Sequence, residues 1–106
     1  MIKTAVEFLA LSTLKRGSVK VRGQEVHFRE LSVAERGKLL DVAGKDSANA
    51  PATLVALCAT TPEGGPLFTE AQVADIAKSS PGVIDIVAQA IMRLSGMMAE
   101  ETDPKG

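Results

Sequence analysis

The sequence predicts an α+β fold, predominantly helical with about five helices and one β-hairpin in its N-terminal half. Three observations predict it. Apolar residues recur at helical spacing over most of the 106 residues, a short stretch at 19–29 alternates instead, and two Ser/Thr-x-x-Glu/Gln capping boxes mark helix starts. The chain is 45% hydrophobic and 24% charged, which excludes wholesale disorder. Residues 1–99 are expected to form a single small domain and 100–106 a flexible charged tail. Its only aromatics are Phe8, Phe28 and Phe68. The core must therefore be aliphatic, and a base-stacking RNA platform is excluded. A domain of this size buries only about two thirds of its unfolded surface, so the apolar excess points to shielding by another copy or a partner.

The first helix is predicted over 4–15, with Ile2, Val6 and Leu9 at helical spacing and Phe8, Leu11 and Leu14 on other faces. It is expected to bury more than one side and to stop at Arg16-Gly17. Glu7 interrupts its apolar run, and Lys15-Arg16 stand where a secretion signal would need small residues. Val19, Val21, Val26 and Phe28 then alternate with polar residues around Gly23-Gln24. A two-residue turn there pairs Arg22 with Glu25, Val21 with Val26, Lys20 with His27 and Val19 with Phe28, giving one apolar face that must rest on helices.

Ser32-Val33-Ala34-Glu35 is a capping box opening a second helix to about Ala43, halted by Gly44. It is expected to bury Val33, Leu39, Leu40 and Ala43, with the Arg36 stem laid over apolar neighbours. Pro51 opens a third helix to about Ala59 as a first-turn proline. A Pro/Gly-rich loop follows at 60–68. Thr69-Glu70-Ala71-Gln72 is the second box, and Phe68 with Val73 forms a hydrophobic staple. The fourth helix is predicted over 70–78, buried through Val73, Ile76 and Ala77. Ser80-Pro81 caps the longest helix, predicted over 81–99, where Asp85, Gln89 and Arg93 form one polar stripe amid apolar residues.

Charge is nearly balanced at −1 overall, but not evenly spread. Residues 15–38 carry seven basic and three acidic side chains, whereas 39–106 carry four basic and nine acidic. Generic attraction to nucleic acid or an anionic membrane is therefore not expected. The single cysteine, Cys58, excludes an internal disulfide and reads as a core residue; the single histidine, His27, lies on the polar hairpin face. A Cys-His dyad would have to join a buried helix to an exposed strand face. The glycines at 64–65 lack the Lys-Ser/Thr and preceding strand of a phosphate loop, and the carboxylates at 100–103 lack the spacing of a calcium loop. No enzyme activity, cofactor or metal is expected. No run is long enough to cross a bilayer.

The order of these parts carries a resemblance. A hairpin ending in Val26-His27-Phe28-Arg29-Glu30-Leu31-Ser32 leads into a capped helix and an Ala/Leu helix. Gly64-Gly65-Pro66-Leu67-Phe68-Thr69 and two further helices follow. Over roughly residues 18–98 this resembles the tail assembly chaperones of long-tailed bacteriophages and prophages. The resemblance implies a non-catalytic protein of the host bacterial cytoplasm, absent from the mature virion. Its implied partners are the tape measure protein, possibly the major tail protein, and copies of itself in rings or spirals. It implies no nucleic acid and no membrane partner. Many members of that family are made in two lengths by a ribosomal frameshift near the end of the shorter product, and Asp103-Pro104-Lys105 is compatible with a slippery C-CCA-AAG run.

Such a protein needs an adaptable apolar surface. Phe8 and Leu11 of the first helix, with Ile91, Met92, Leu94, Met97 and Met98 of the last, are the candidate partner-binding residues, although methionines equally fill cores. Two other readings stay open. One is a small DNA-binding regulator, disfavoured because its recognition helix at 70–78 would carry Glu70 and Asp75 toward phosphates. The other is a structural tail or connector protein of the virion.

Overall fold

The computed structural model describes residues 1–97, an α+β and mostly helical arrangement. In chain order it comprises α1 (Ala5–Leu11), β1 (Arg16–Val21), β2 (Gln24–Arg29), α2 (Val33–Lys45), α3 (Ala50–Cys58), β3 (Ala59–Thr60), α4 (Val73–Ala77) and α5 (Pro81–Leu94). The strands form one antiparallel sheet in the order β1-β2-β3. Helix α5 packs on β1 and β2 and against α3, which in turn packs on α2 and α4. The core is aliphatic around one aromatic, Phe28, with Leu54, Cys58 and Ile91 its most deeply buried large side chains.

The hairpin forms where alternation predicts it, in a different register. Val19 faces Val26, Lys20 faces Glu25 and Gly17 faces Phe28, so the turn is Arg22-Gly23 rather than Gly23-Gln24. Both turn residues have positive φ, 51° and 80°. That is the type I′ geometry whose twist matches the flanking strands, with glycine in the second position. The shift is two residues, so every side chain keeps its face. Gly17 is thus a strand residue and not a helix stop. A Cβ there would sit 3.0 Å from the Phe28 ring, so its bareness admits the aromatic.

Helix α1 is shorter than expected and, contrary to the sequence reading, buries nothing. Ser12 and Thr13 turn their hydroxyls back onto the carbonyls of Phe8 and Ala10, which ends the helix early. The sheet is covered by α5. Lys15 is clamped to Glu30 on both sides, its N–H donating to Glu30 Oε1 at 2.7 Å and its carbonyl accepting from the Glu30 N–H at 2.9 Å. The segment before it projects as an arm.

Both halves of the Ser32/Glu35 capping box form, and α2 runs past Gly44 to Lys45. Only Leu39 of its stripe is buried; Val33 and Leu40 are 83% and 58% exposed, and Arg36 is exposed instead of covering neighbours. The helix meets the buried core through Leu39, where it packs on α3. Strand β3, unpredicted, follows α3 without a linker and pairs His27 with Thr60 and Phe28 with Ala59. The Thr69/Gln72 box also forms, over a 3-10 turn at Glu70–Gln72 that leads into α4. Ile76 is buried there and Ala77, expected to be, is exposed.

Helix α5 ends at Leu94, not near 99. Gly96, at φ 73°, closes it with a paired C-terminal motif: Met97 N–H donates to Met92 O at 2.8 Å and Gly96 N–H to Arg93 O at 3.1 Å. At its other end Ser80 does not cap; its hydroxyl instead accepts from Arg22 at the hairpin tip. Asp85, Gln89 and Arg93 are all exposed, as their spacing predicts. The charged segment at 100–106 and its frameshift run lie outside the described residues.

Candidate partner-binding surface

Two apolar features remain open once the core is closed. The first is a groove of about 450 Å³ between α2, α3 and α5. Leu39, Leu40 and Ala43 form one wall, Ala50, Pro51 and Leu54 the floor side, and Ala88, Met92 and Met97 the other wall, with Asp85 and Gln89 at its polar edge. A mostly apolar cleft with a few polar groups at one margin is the general form of a binding site. It exists because α2 leans on the core through Leu39 alone, leaving a gap between its outer flank and α5.

The second feature is the arm. Ile2, Val6, Phe8, Leu9 and Leu11 are 46%, 76%, 54%, 66% and 72% exposed. Helix α1 is nonetheless well capped: Glu7 N–H donates to Thr4 Oγ1, while Lys3 and Thr4 N–H groups donate to Glu7 Oε1.

The candidate residues of the sequence reading fall into different classes. Phe8 and Leu11 stand exposed on the arm. Met92 and Met97 line the groove together, and the C-terminal motif of α5 is what turns Met97 back beside Met92. Leu94 is half-buried on the sheet side, within 3.6 Å of where a Gly17 Cβ would lie. Ile91 has no exposed surface and is a core residue, so it is no part of a docking surface. Met98 lies outside the described residues. Sequence reasoning missed the α2 and α3 walls. The usable signal was a stripe on 33–43 wider than one small core can cover.

Beside the groove, an ion pair fixes the spacing of hairpin and helices. Arg29 Nη1 and Nη2 donate to Glu35 Oε1 and Oε2 at 2.7 and 2.8 Å, and Arg29 also donates to the carbonyls of Leu57 and Glu30. The Arg29 guanidinium holds the Glu35 carboxyl down at about 2, and burial pushes the Cys58 thiol up to about 12. His27 lies on the outward face, 3.8 Å from Glu25. Among the described residues no three His, Cys, Asp or Glu side chains gather into a metal-sized cluster, and no helix is long and apolar enough to cross a membrane. The segment weighed as a DNA-recognition helix is a 3-10 turn followed by the five residues of α4.

No protein-family model matches the sequence, and no curated protein is significantly similar to it. Among solved structures, the fold is similar to that of the tail assembly chaperone of bacteriophage HK97. The TM-score is 0.60, over 92% of this chain and 98% of that one, at 14% identity. At that identity the likeness is one of fold.

Proposed function

We propose that this chain is a tail assembly chaperone of a long-tailed phage or prophage, a non-catalytic protein that holds the tape measure protein during tail assembly. The observation that carries the proposal is the fold likeness to a phage tail assembly chaperone across nearly the whole of both chains. The groove gives the reading a physical means. An apolar cleft edged by Met92 and Met97 accepts the apolar side of a helical client, and methionine side chains re-pack around differing sequences at little cost. In this reading the protein acts in the host cytoplasm, associates with copies of itself, hands its client to tail tube subunits, and is left out of the finished particle.

Co-expression with the tape measure gene of the same genome tests it. The expected result is a tape measure protein that stays soluble and co-purifies with the chain, and that loses both properties with Leu40→Glu, which places a charge at the exposed groove edge. A client whose solubility and recovery are unchanged by the chain would refute the proposal.

A further inference from the structure

We propose that the outward face of the sheet carries a binding site for a phosphate monoester with a compact, uncharged body, held by Arg16, His27 and Thr60. The inference stands on this face alone and does not need the chaperone reading.

Strand register brings the three together. Arg16 pairs with Arg29, Ser18 with His27, and His27 with Thr60, and directly opposed side chains share a face of the sheet. Arg16, His27 and Thr60 line a cleft of about 330 Å³ there, closed at one side by Pro62. The loop after β3 folds back over this face, with Thr61 N–H donating to Gly65 O at 2.8 Å and Gly65 N–H to Thr61 Oγ1 at 3.1 Å.

Arg16 is placed there without an anion. Two arginines directly opposite each other on one sheet face repel unless each is neutralised. Glu35 neutralises Arg29, whereas Arg16 forms no ion pair among the described residues. The carboxylates of β2 and its end are turned to other groups: Glu25 accepts from Ser18 Oγ at 2.9 Å, and Glu30 from the Lys15 N–H. Glu63, in the loop, likewise forms no ion pair. The Arg16 guanidinium rests instead on the bare backbone of Gly64, where a Cβ would lie 2.9 Å from its Cζ.

Thr60 supplies a second, independent observation. It is 5% exposed, and its hydroxyl makes no hydrogen bond among the described residues. No fully enclosed side-chain polar atom among them lacks a partner, so this hydroxyl opens onto the cleft that Thr60 lines. A polar group at that depth calls for an acceptor. His27 adds a third donor: its Nε2 lies toward Glu25, at 3.8 Å, which leaves Nδ1 for a ligand.

The donor set selects the ligand. The guanidinium fork matches two oxygens of an anion, and the imidazole and hydroxyl serve a third, which a phosphate group has and a carboxylate lacks. His27, Thr60 and Pro62 also border a second cavity of about 430 Å³, where Val26 and Leu67 are apolar and Gln24 is polar. That cavity has room for the body of an ester. Glu25 lines it as well and repels a second negative charge, so a diphosphate or a nucleic-acid backbone fits poorly.

Titration of the full chain, followed by amide and imidazole NMR shifts at constant ionic strength, tests this. The probes are phenyl phosphate, ribose 5-phosphate, inorganic phosphate and acetate. At least one monoester should bind with a Kd of about 0.1–1 mM, shifting Arg16, His27 and Thr60, and about tenfold tighter than inorganic phosphate or acetate. Arg16→Gln should weaken monoester binding about tenfold or more, and Thr60→Val, which keeps the shape and removes the hydroxyl, about threefold. Lys20→Gln removes the same charge from an exposed position outside both cavities and should leave binding unchanged. Thermal midpoints without ligand show whether each variant is folded; should Arg16→Gln unfold, Thr60→Val and the ranking of the probes still decide. Four results would overturn the inference: no monoester bound by about 10 mM, inorganic phosphate or acetate bound as tightly as the monoesters, binding indifferent to both Arg16→Gln and Thr60→Val, or an equal loss with Lys20→Gln. No tape measure protein takes part, so failure here leaves the proposed client untouched.

Discussion

Replacing Glu35 with Gln separates the charge of the Arg29–Glu35 pair from its place in the helix cap, because Gln in the third helical position still completes a capping box. What is lost is the bidentate ion pair, at 2.7 and 2.8 Å. Arg29 is left with the Leu57 and Glu30 carbonyls. A carboxyl held at about 2 in the fold against an ordinary 4.5 is worth about 3 kcal/mol at neutral pH. Solvent screening of the pair, whose side chains are 26% and 23% exposed, reduces this to about 2 kcal/mol. Because the folded value is depressed, this stability is present in full above about pH 5 and is lost as pH falls through 4.5 toward 2. Urea unfolding followed by far-UV circular dichroism, at one fixed protein concentration, measures it. Glu35→Gln should unfold about 1–2 M urea earlier than wild type at pH 7, and the two curves should converge near pH 2. Equal midpoints at pH 7, or a gap that persists undiminished at pH 2, would refute the assignment of that stability to the charged pair.

Ile91→Ala empties the centre of the core and should cost about 2–5 kcal/mol, read from thermal or urea unfolding, whereas Phe8→Ala should change monomer stability by under about 0.5 kcal/mol. Gly37→Ala adds a Cβ that meets nothing inside α2, so it should stabilise by about 0.5–1 kcal/mol; Gly64→Ala, at φ 100° and against the Arg16 guanidinium, should destabilise by about 1–2 kcal/mol. A thiol reagent at pH 8 should label Cys58 only after denaturant is added, since the group is fully buried and its thiol is pushed up to about 12; rapid labelling of the native protein would contradict the packing around it.

What the sequence disclosed was local. Both capping boxes, the proline-opened α3, the alternating hairpin and the polar stripe of α5 follow from residues within a few positions of one another, and all form. What it hid depended on distant partners. Two-residue β3 has no pattern of its own and exists only because β2 offers it an edge. The hairpin register turned on whether Arg22 would accept a left-handed conformation, which the twist of the strands decides. Ile91, Met92 and Leu94 are all apolar and adjacent, yet one is core, one lines the groove and one packs toward the sheet; helical spacing alone does not say which neighbour stands on which side. Likewise the arm looked like ordinary core material, because the apolar pattern of a helix is the same whether its cover comes from its own chain or another.

The direct passage from α3 into β3 has a mechanical consequence. Cys58 ends a helix and Ala59 begins a strand, so no flexible link separates the groove floor from the sheet. Arg29 ties the same corner from the other direction, gripping Glu35 at the start of α2 and the carbonyl of Leu57 near the end of α3. Widening the cleft by moving α3 would therefore drag the sheet's edge and break that grip at once. The scaffold behaves as a fixed cradle, and accommodation of different occupants falls to the rotamers of Met92 and Met97 on its rim.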